Sequence, residues 1–173
     1  MATRDFGHLG SLSFSSNEVV EGEHYKITVF DKAGQDDYDR IYDRLRYLFY
    51  AHTSVVIVAY SIASPSSFKN VSEKWIPEVR CYCPETLMIL VGMKEDLRND
   101  TETIECLKEG NESLVTHEMG LKLATDNGIM KFLECSALLD KGLKNVFEEA
   151  VRAYHFHLQP PKDPNSCLII LYE

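Results

Sequence analysis

Leu87-Met88-Ile89-Leu90-Val91-Gly92-Met93-Lys94-Glu95-Asp96-Leu97 is the stretch on which the fold turns. Leu87 to Val91 is continuously apolar and too short for a helix, the mark of a strand buried on both faces. A charged loop follows at its carboxyl end. Val55 to Tyr60 has the same character upstream, and Phe132 to Cys135 is a shorter run downstream. Helical spacing fills the intervals. Phe68, Val71, Trp75 and Val79 share one face, with a kink expected at Pro77. Thr101 to Lys108 reads as a short helix, and Thr116 to Asn127 as a longer one stopped by Gly128. Leu143, Val146, Phe147, Ala150, Val151 and Tyr154 mark the inner face of a closing amphipathic helix. Strands alternating with helices predict an α/β domain with a mostly parallel sheet.

Ahead of this alternation, Ser13 to Val20 and Tyr25 to Phe30 flank Glu21-Gly22-Glu23-His24, the spacing of a β-hairpin. Asp39 to Tyr50 is a charged helical stretch. The expected division is a polar lead-in over 1–12, one domain over 13–157 and a proline-opened tail over 158–173. Composition agrees with one domain: 173 residues, 45% hydrophobic and 26% charged, are ordinary for a globular protein. The longest apolar runs, Val55 to Tyr60 and Cys167 to Tyr172, are far too short to span a membrane. Met1 to Leu12 lacks the apolar stretch of a signal peptide.

The net charge of −9 repels phosphate backbones and anionic lipids, which argues against nucleic acid as a partner. The five cysteines are scattered, and Cys81-Tyr82-Cys83 lacks the spacing of a zinc half-site. Reduced thiols in the cytoplasm are the expectation. His155 and His157 fall on different faces of a helix end, where positive charge is favourable and a shared metal is not expected.

In open α/β sheets, ligands bind outside the carboxyl ends of the strands. Three loops there carry chemistry: Asp31-x-x-Gly34-Gln35, Gly92-Met93-Lys94-Glu95-Asp96-Leu97 and Ser136-Ala137-Leu138. In this order they resemble the guanine-nucleotide loops of a small GTPase. The resemblance sharpens to the Rho family through Asp31 to Arg40 (DKAGQDDYDR), Trp75 to Arg80 (WIPEVR), Leu90 to Arg98 (LVGMKEDLR), Leu133 to Leu138 (LECSAL) and Gly142 to Phe147 (GLKNVF). The helix at Thr101 to Lys108 falls where Rho proteins carry an insert helix. The similarity covers about residues 13–155.

The resemblance implies a P-loop-NTPase-like G domain, a mostly parallel sheet with helices on both faces, and GTP or GDP with Mg2+ as ligands. Asp31 corresponds to the aspartate that supports magnesium through water, and the amide of Gly34 to the one that meets the γ-phosphate. Gln35 corresponds to the glutamine that orients the attacking water. The stem of Lys94 would lie along the base. Asp96 would accept two hydrogen bonds from the guanine edge, and Ser136, Ala137 and Leu138 would form the base loop, with the Ala137 amide on the guanine oxygen. Rho-type regulators or effectors would engage the second switch, Asp36 to Tyr50, and the insert helix. A cytoplasmic location, peripheral at the plasma membrane, is implied as well.

The sequence also departs from the family. No GxxxxGK[ST] phosphate loop occurs, and the match begins after the family's first strand, phosphate loop, first helix and first switch. Lys32 stands where threonine is usual, read as drift on an exposed turn, and Met93 where Thr or Asn is expected. Tyr38-Asp39-Arg40-Ile41 is followed at once by Tyr42-Asp43-Arg44-Leu45, an insertion of close to one helical turn. Cys167-Leu168-Ile169-Ile170 looks like a prenylation box, but three residues follow it, which blocks lipidation of Cys167 as written.

Three functional readings follow. The first is a Rho-like interaction module with remnants of the nucleotide pocket and impaired GTP binding and hydrolysis. The second is an active Rho-type switch whose N-terminus is missing from the sequence, and the third a structural relic. The family's first strand lies mid-sheet, between the strands matching Tyr25–Phe30 and Val55–Tyr60. Its loss would leave two unpaired edges and an exposed helix seat. The chain is therefore expected to be unstable alone, to pair with another chain, or to close the gap.

Overall fold

Seven strands form one sheet in the order β1-β2-β3-β7-β4-β5-β6. The structure, a computed structural model, describes residues 3–5, 11–32, 53–157 and 167–171. The strands are β1 (Thr3–Asp5), β2 (Ser11–Val20), β3 (Glu23–Lys32), β4 (Thr53–Ser61), β5 (Leu87–Met93), β6 (Lys131–Glu134) and β7 (Cys167–Leu171). Pairing is antiparallel from β1 to β3 and parallel from β3 through β7, β4 and β5 to β6. The expected α/β architecture is present.

The β2–β3 hairpin turns more tightly than the four-residue spacing suggests. Val20 pairs with Glu23, leaving Glu21 and Gly22 as the turn, both at positive φ (54° and 83°). That geometry matches the twist of the flanking strands, and glycine supplies half of it without strain. Lys32 belongs to β3 and is not in a turn. The polar lead-in also contributes more than a loose end, since Thr3–Asp5 pairs with Ser13–Ser15 at the outer edge.

Helices cover both faces. The first layer is α1 (Pro65–Asn70), a π turn (Val71–Trp75) and α2 (Ile76–Tyr82), followed later by α4 (His117–Asp126). Pro77 sits in the first turn of α2, where a missing N–H is tolerated. The irregularity lies just ahead of it, where the Ile76 amide donates to the Val71 carbonyl, five residues back. A five-residue 3-10 turn (Glu95–Asn99) and α3 (Thr101–Glu109) connect β5 to α4. Asp100 caps α3 by accepting from the Thr103 amide, and Thr116 caps α4 by accepting from Met119. The opposite face is covered by α5 (Leu143–His157). No helix among the described residues is long and apolar enough to cross a membrane.

The period-two geometry of β4 and β5 divides the core. Val56, Val58, Tyr60, Met88 and Leu90 pack with Trp75, Val79 and Ala124 on one side. Val55, Ile57, Ala59, Ile89 and Val91 pack with Val146, Ala150 and Tyr154 on the other, joined there by Ile27 and Val29 of β3. Continuous apolar strands are what a sheet buried on both faces requires. His155 Nδ1 is hydrogen bonded to the Tyr25 hydroxyl, tying α5 to β3.

One ion pair fastens α5 to β6, and a neighbour within α5 supports it. Lys131 Nζ lies 2.8 Å from Glu149 Oε2, and Arg152 also bonds Glu149, whose side chain is only 15% exposed. The Lys131 hydrogen bond, with Arg152 adding, holds the Glu149 carboxyl below its ordinary value of 4.5. A depressed carboxylate pKa stabilises the fold above the unfolded value, and that contribution is lost as pH falls through the folded one. Glu149→Gln should therefore lower the melting temperature near neutrality and flatten its fall below pH ~4.5. Thermal melts between pH ~3 and ~7 test this, and parallel curves for the two proteins would refute it.

Candidate functional site

The parallel strands β3, β7, β4, β5 and β6 bring their carboxyl ends to one edge of the sheet. Two of the three loops singled out in the sequence meet there. Gly92, Met93 and Lys94 leave β5, and Cys135, Ser136 and Ala137 leave β6. The Cys135 amide donates to the Gly92 carbonyl at 2.9 Å, and the Glu95 amide donates to the Cys135 carbonyl at 3.0 Å. These two bonds continue the β5–β6 ladder beyond the strands, so both loops start from a fixed base.

Lys94 takes the left-handed conformation (φ 61°, ψ 40°), which turns the chain from β5 into the 3-10 turn. Its side chain is exposed, whereas Asp96 is half-buried. Ser136 is fully buried, and its hydroxyl donates to Asp96 Oδ1. The Ser136 Oγ in turn accepts from the Leu139 amide at 3.1 Å. Ser136 and Lys141 exchange both backbone hydrogen bonds at 2.9 Å, which closes the loop on itself. Lys141 Nζ then reaches Glu95 Oε1 at 2.6 Å across the two loops. The result is one carboxylate, Asp96, oriented through one oxygen while the other remains available to a ligand. Ala137, Leu138 and Leu139 are exposed beside it, Leu138 by 81%.

A second tier of charges lies behind these loops. Glu134, the last residue of β6, accepts from Arg98 Nη2 at 2.5 Å and sits 3.2 Å from His117 Nδ1. Arg98 also donates to the Val115 carbonyl at 3.2 Å. The guanidinium thus joins the 3-10 turn carrying Asp96 to the strand preceding Ser136. The sequence reading missed this cluster because its members lie far apart in the chain and each resembles an ordinary surface charge. Cys135 is buried between the loops, and that burial, with Glu95 adding, raises its thiol above the ordinary value and disfavours the reactive thiolate.

The remaining candidates divide. Asp31 stands at the carboxyl end of β3, its backbone in register with Leu12 and Ile170. It shares the sheet edge with Asp96 but belongs to the far side of β7 and β4. Gly34, Gln35 and the second switch, Asp36 to Tyr50, lie outside the described residues. Cys167 is not in a free tail. It is the first residue of β7, paired with Thr28 and Thr53 at the amino end of the sheet, opposite the loops.

Asp96, Lys94 and the Ala137 amide bring a carboxylate acceptor, an exposed aliphatic stem and a backbone donor to one end of the sheet. Among the described residues no three His, Cys, Asp or Glu side chains gather as metal ligands. A family model described as Ras family matches residues 9–155, most of the chain and all of the loops above. The chain thus belongs to the Ras family, and its α/β domain is that of a small GTPase.

Proposed function

We propose that this chain is a Rho-type member of the family that keeps the base-reading side of a guanine-nucleotide pocket, hydrolyses GTP poorly or not at all, and acts as an interaction module. The observation that carries the reading is the Ser136–Asp96 pair, which orients a carboxylate at the end of β5. In this reading Asp96 accepts from the guanine edge, Lys94 lies along the base, and Ala137 and Leu138 line the guanine-oxygen side. In this reading Asp31, Gly34 and Gln35 correspond to the magnesium-supporting aspartate, the γ-phosphate glycine and the water-orienting glutamine of the family. GTP and Mg2+ supply the γ-phosphate and its charge neutralisation when bound. Catalysis of that transfer is almost entirely positioning and electrostatics. Impairment is supported by β7, which takes the mid-sheet place from which the family's phosphate loop departs.

The partner side of the reading rests on α3. None of its residues is buried, although it is well capped at Asp100. A helix held at its end, with only Thr103, Ile104 and Leu107 partly covered, keeps most of its surface for another protein. With the second switch, Asp36 to Tyr50, it forms the proposed contact for Rho-type regulators or effectors at the cytoplasmic face of the plasma membrane.

Titration with fluorescent GDP tests the nucleotide side. Weak binding that magnesium hardly changes is expected, and Asp96→Asn should weaken it by about tenfold through loss of a charged acceptor. Tight, magnesium-dependent binding would refute impairment. Equal affinity in the wild type and Asp96→Asn would refute the base-reading role.

A further inference from the structure

The middle of the sheet is held together by a segment from the other end of the chain. Among the described residues β3 and β4 share no ladder. Each pairs instead with β7, Thr28–Lys32 on one side and Thr53–Val58 on the other. Removing β7 would split the sheet into β1-β2-β3 and β4-β5-β6 and expose two long edges. The two halves would then depend on α5, whose buried residues pack with β3 and β4 alike.

The chemistry of both partners suits a strand bound as a ligand. Val55, Val56, Ile57 and Val58 of β4 are at most 2% exposed, as is Val29 of β3. A place between such strands accepts an uncharged, β-branched, apolar segment and rejects a charged one. Cys167-Leu168-Ile169-Ile170-Leu171 has that composition. Nine residues, 158–166, separate it from the end of α5, and three of them are proline. Its place is set by the ladder.

We propose that the slot between β3 and β4 is a strand-acceptor site, specific for an extended apolar peptide bound parallel to both neighbours, and that residues 167–171 are its resident ligand. Backbone hydrogen bonds to both neighbours hold the segment, not its covalent link to α5. The gap expected from the family comparison is closed in cis, and Cys-Leu-Ile-Ile is committed to the sheet and not to a lipid anchor. This inference stands on the strand pairing and does not depend on the nucleotide reading.

Two measurements on the full chain decide it. Hydrogen exchange should show the amides of 167–171 protected to within about tenfold of those of 55–58, because strands of one ladder open together. Exchange at the rate of a free peptide would overturn the proposal. A specific protease site placed in 158–166 then separates covalent from non-covalent holding. After cleavage the 167–173 fragment should co-elute with the body on gel filtration. An excess of labelled synthetic peptide of residues 163–173 should replace it, while the same peptide carrying Ile169→Pro should not, since proline removes a ladder donor from a central strand. Loss of the fragment on cleavage, or equal uptake of the proline peptide, would overturn it.

Discussion

Replacing Trp75 with alanine is expected to lower stability by about 3–5 kcal/mol, the usual cost of emptying a large aromatic site in a core. Trp75 is 2% exposed and packs among the residues between β4, β5 and the first helical layer. It belongs to the π turn that joins α1 to α2, and Lys74 Nζ rests 4.6 Å from the centre of its ring. Relaxation cannot fill the cavity easily. The turn is fixed on one side by the Ile76–Val71 bond and on the other by Pro77. A domain of this size has roughly 5–15 kcal/mol in total, so the variant should lie near the threshold of folding. Trp75→Phe retains most of the volume and should cost less than half as much. Trp75 is the chain's one tryptophan, so urea denaturation must be followed by far-ultraviolet circular dichroism. A loss below about 1 kcal/mol with an unchanged m-value would show that the residue is peripheral.

The sequence displayed the central strands openly. Val55 to Tyr60 and Leu87 to Val91 admit no exposed face, and their burial follows directly. The loop residues Lys94, Asp96 and Ser136 were legible through their position at strand ends, and two of them, Asp96 and Ser136, meet in the structure. What stayed hidden depends on contacts between distant segments. Nothing local in Cys167 to Leu171 distinguishes a central strand from a lipid box, because both need short apolar runs. Its partners decide, and they lie more than a hundred residues away in sequence. Glu134 was invisible for the same reason, since its value rests on Arg98 and His117 arriving beside it.

Glu134→Gln should cost about 2 kcal/mol and loosen the base-side loops together. The substitution preserves shape and removes the charge that pairs with Arg98, whose side chain is 28% exposed against 12% for Glu134. Hydrogen bonds to charged groups contribute about 1.5–3 kcal/mol, and partial exposure of Arg98 holds the expectation to the middle of that range. Arg98 would keep the Val115 carbonyl and a neutral amide acceptor in place of the carboxylate, and His117 would lose its anionic partner. The structural consequence reaches forward. Arg98 is in the same 3-10 turn as Asp96, and Glu134 lies two residues before Ser136, so their bond sets the distance across which Ser136 meets Asp96. A double-mutant cycle with Arg98→Gln separates this link from two independent losses. Coupling above about 1 kcal/mol in urea denaturation is expected, accompanied by faster hydrogen exchange at Glu95 and Cys135. If the two substitutions simply add, and those amides exchange as before, the charge pair does not hold the loops and their geometry rests on the backbone ladder alone.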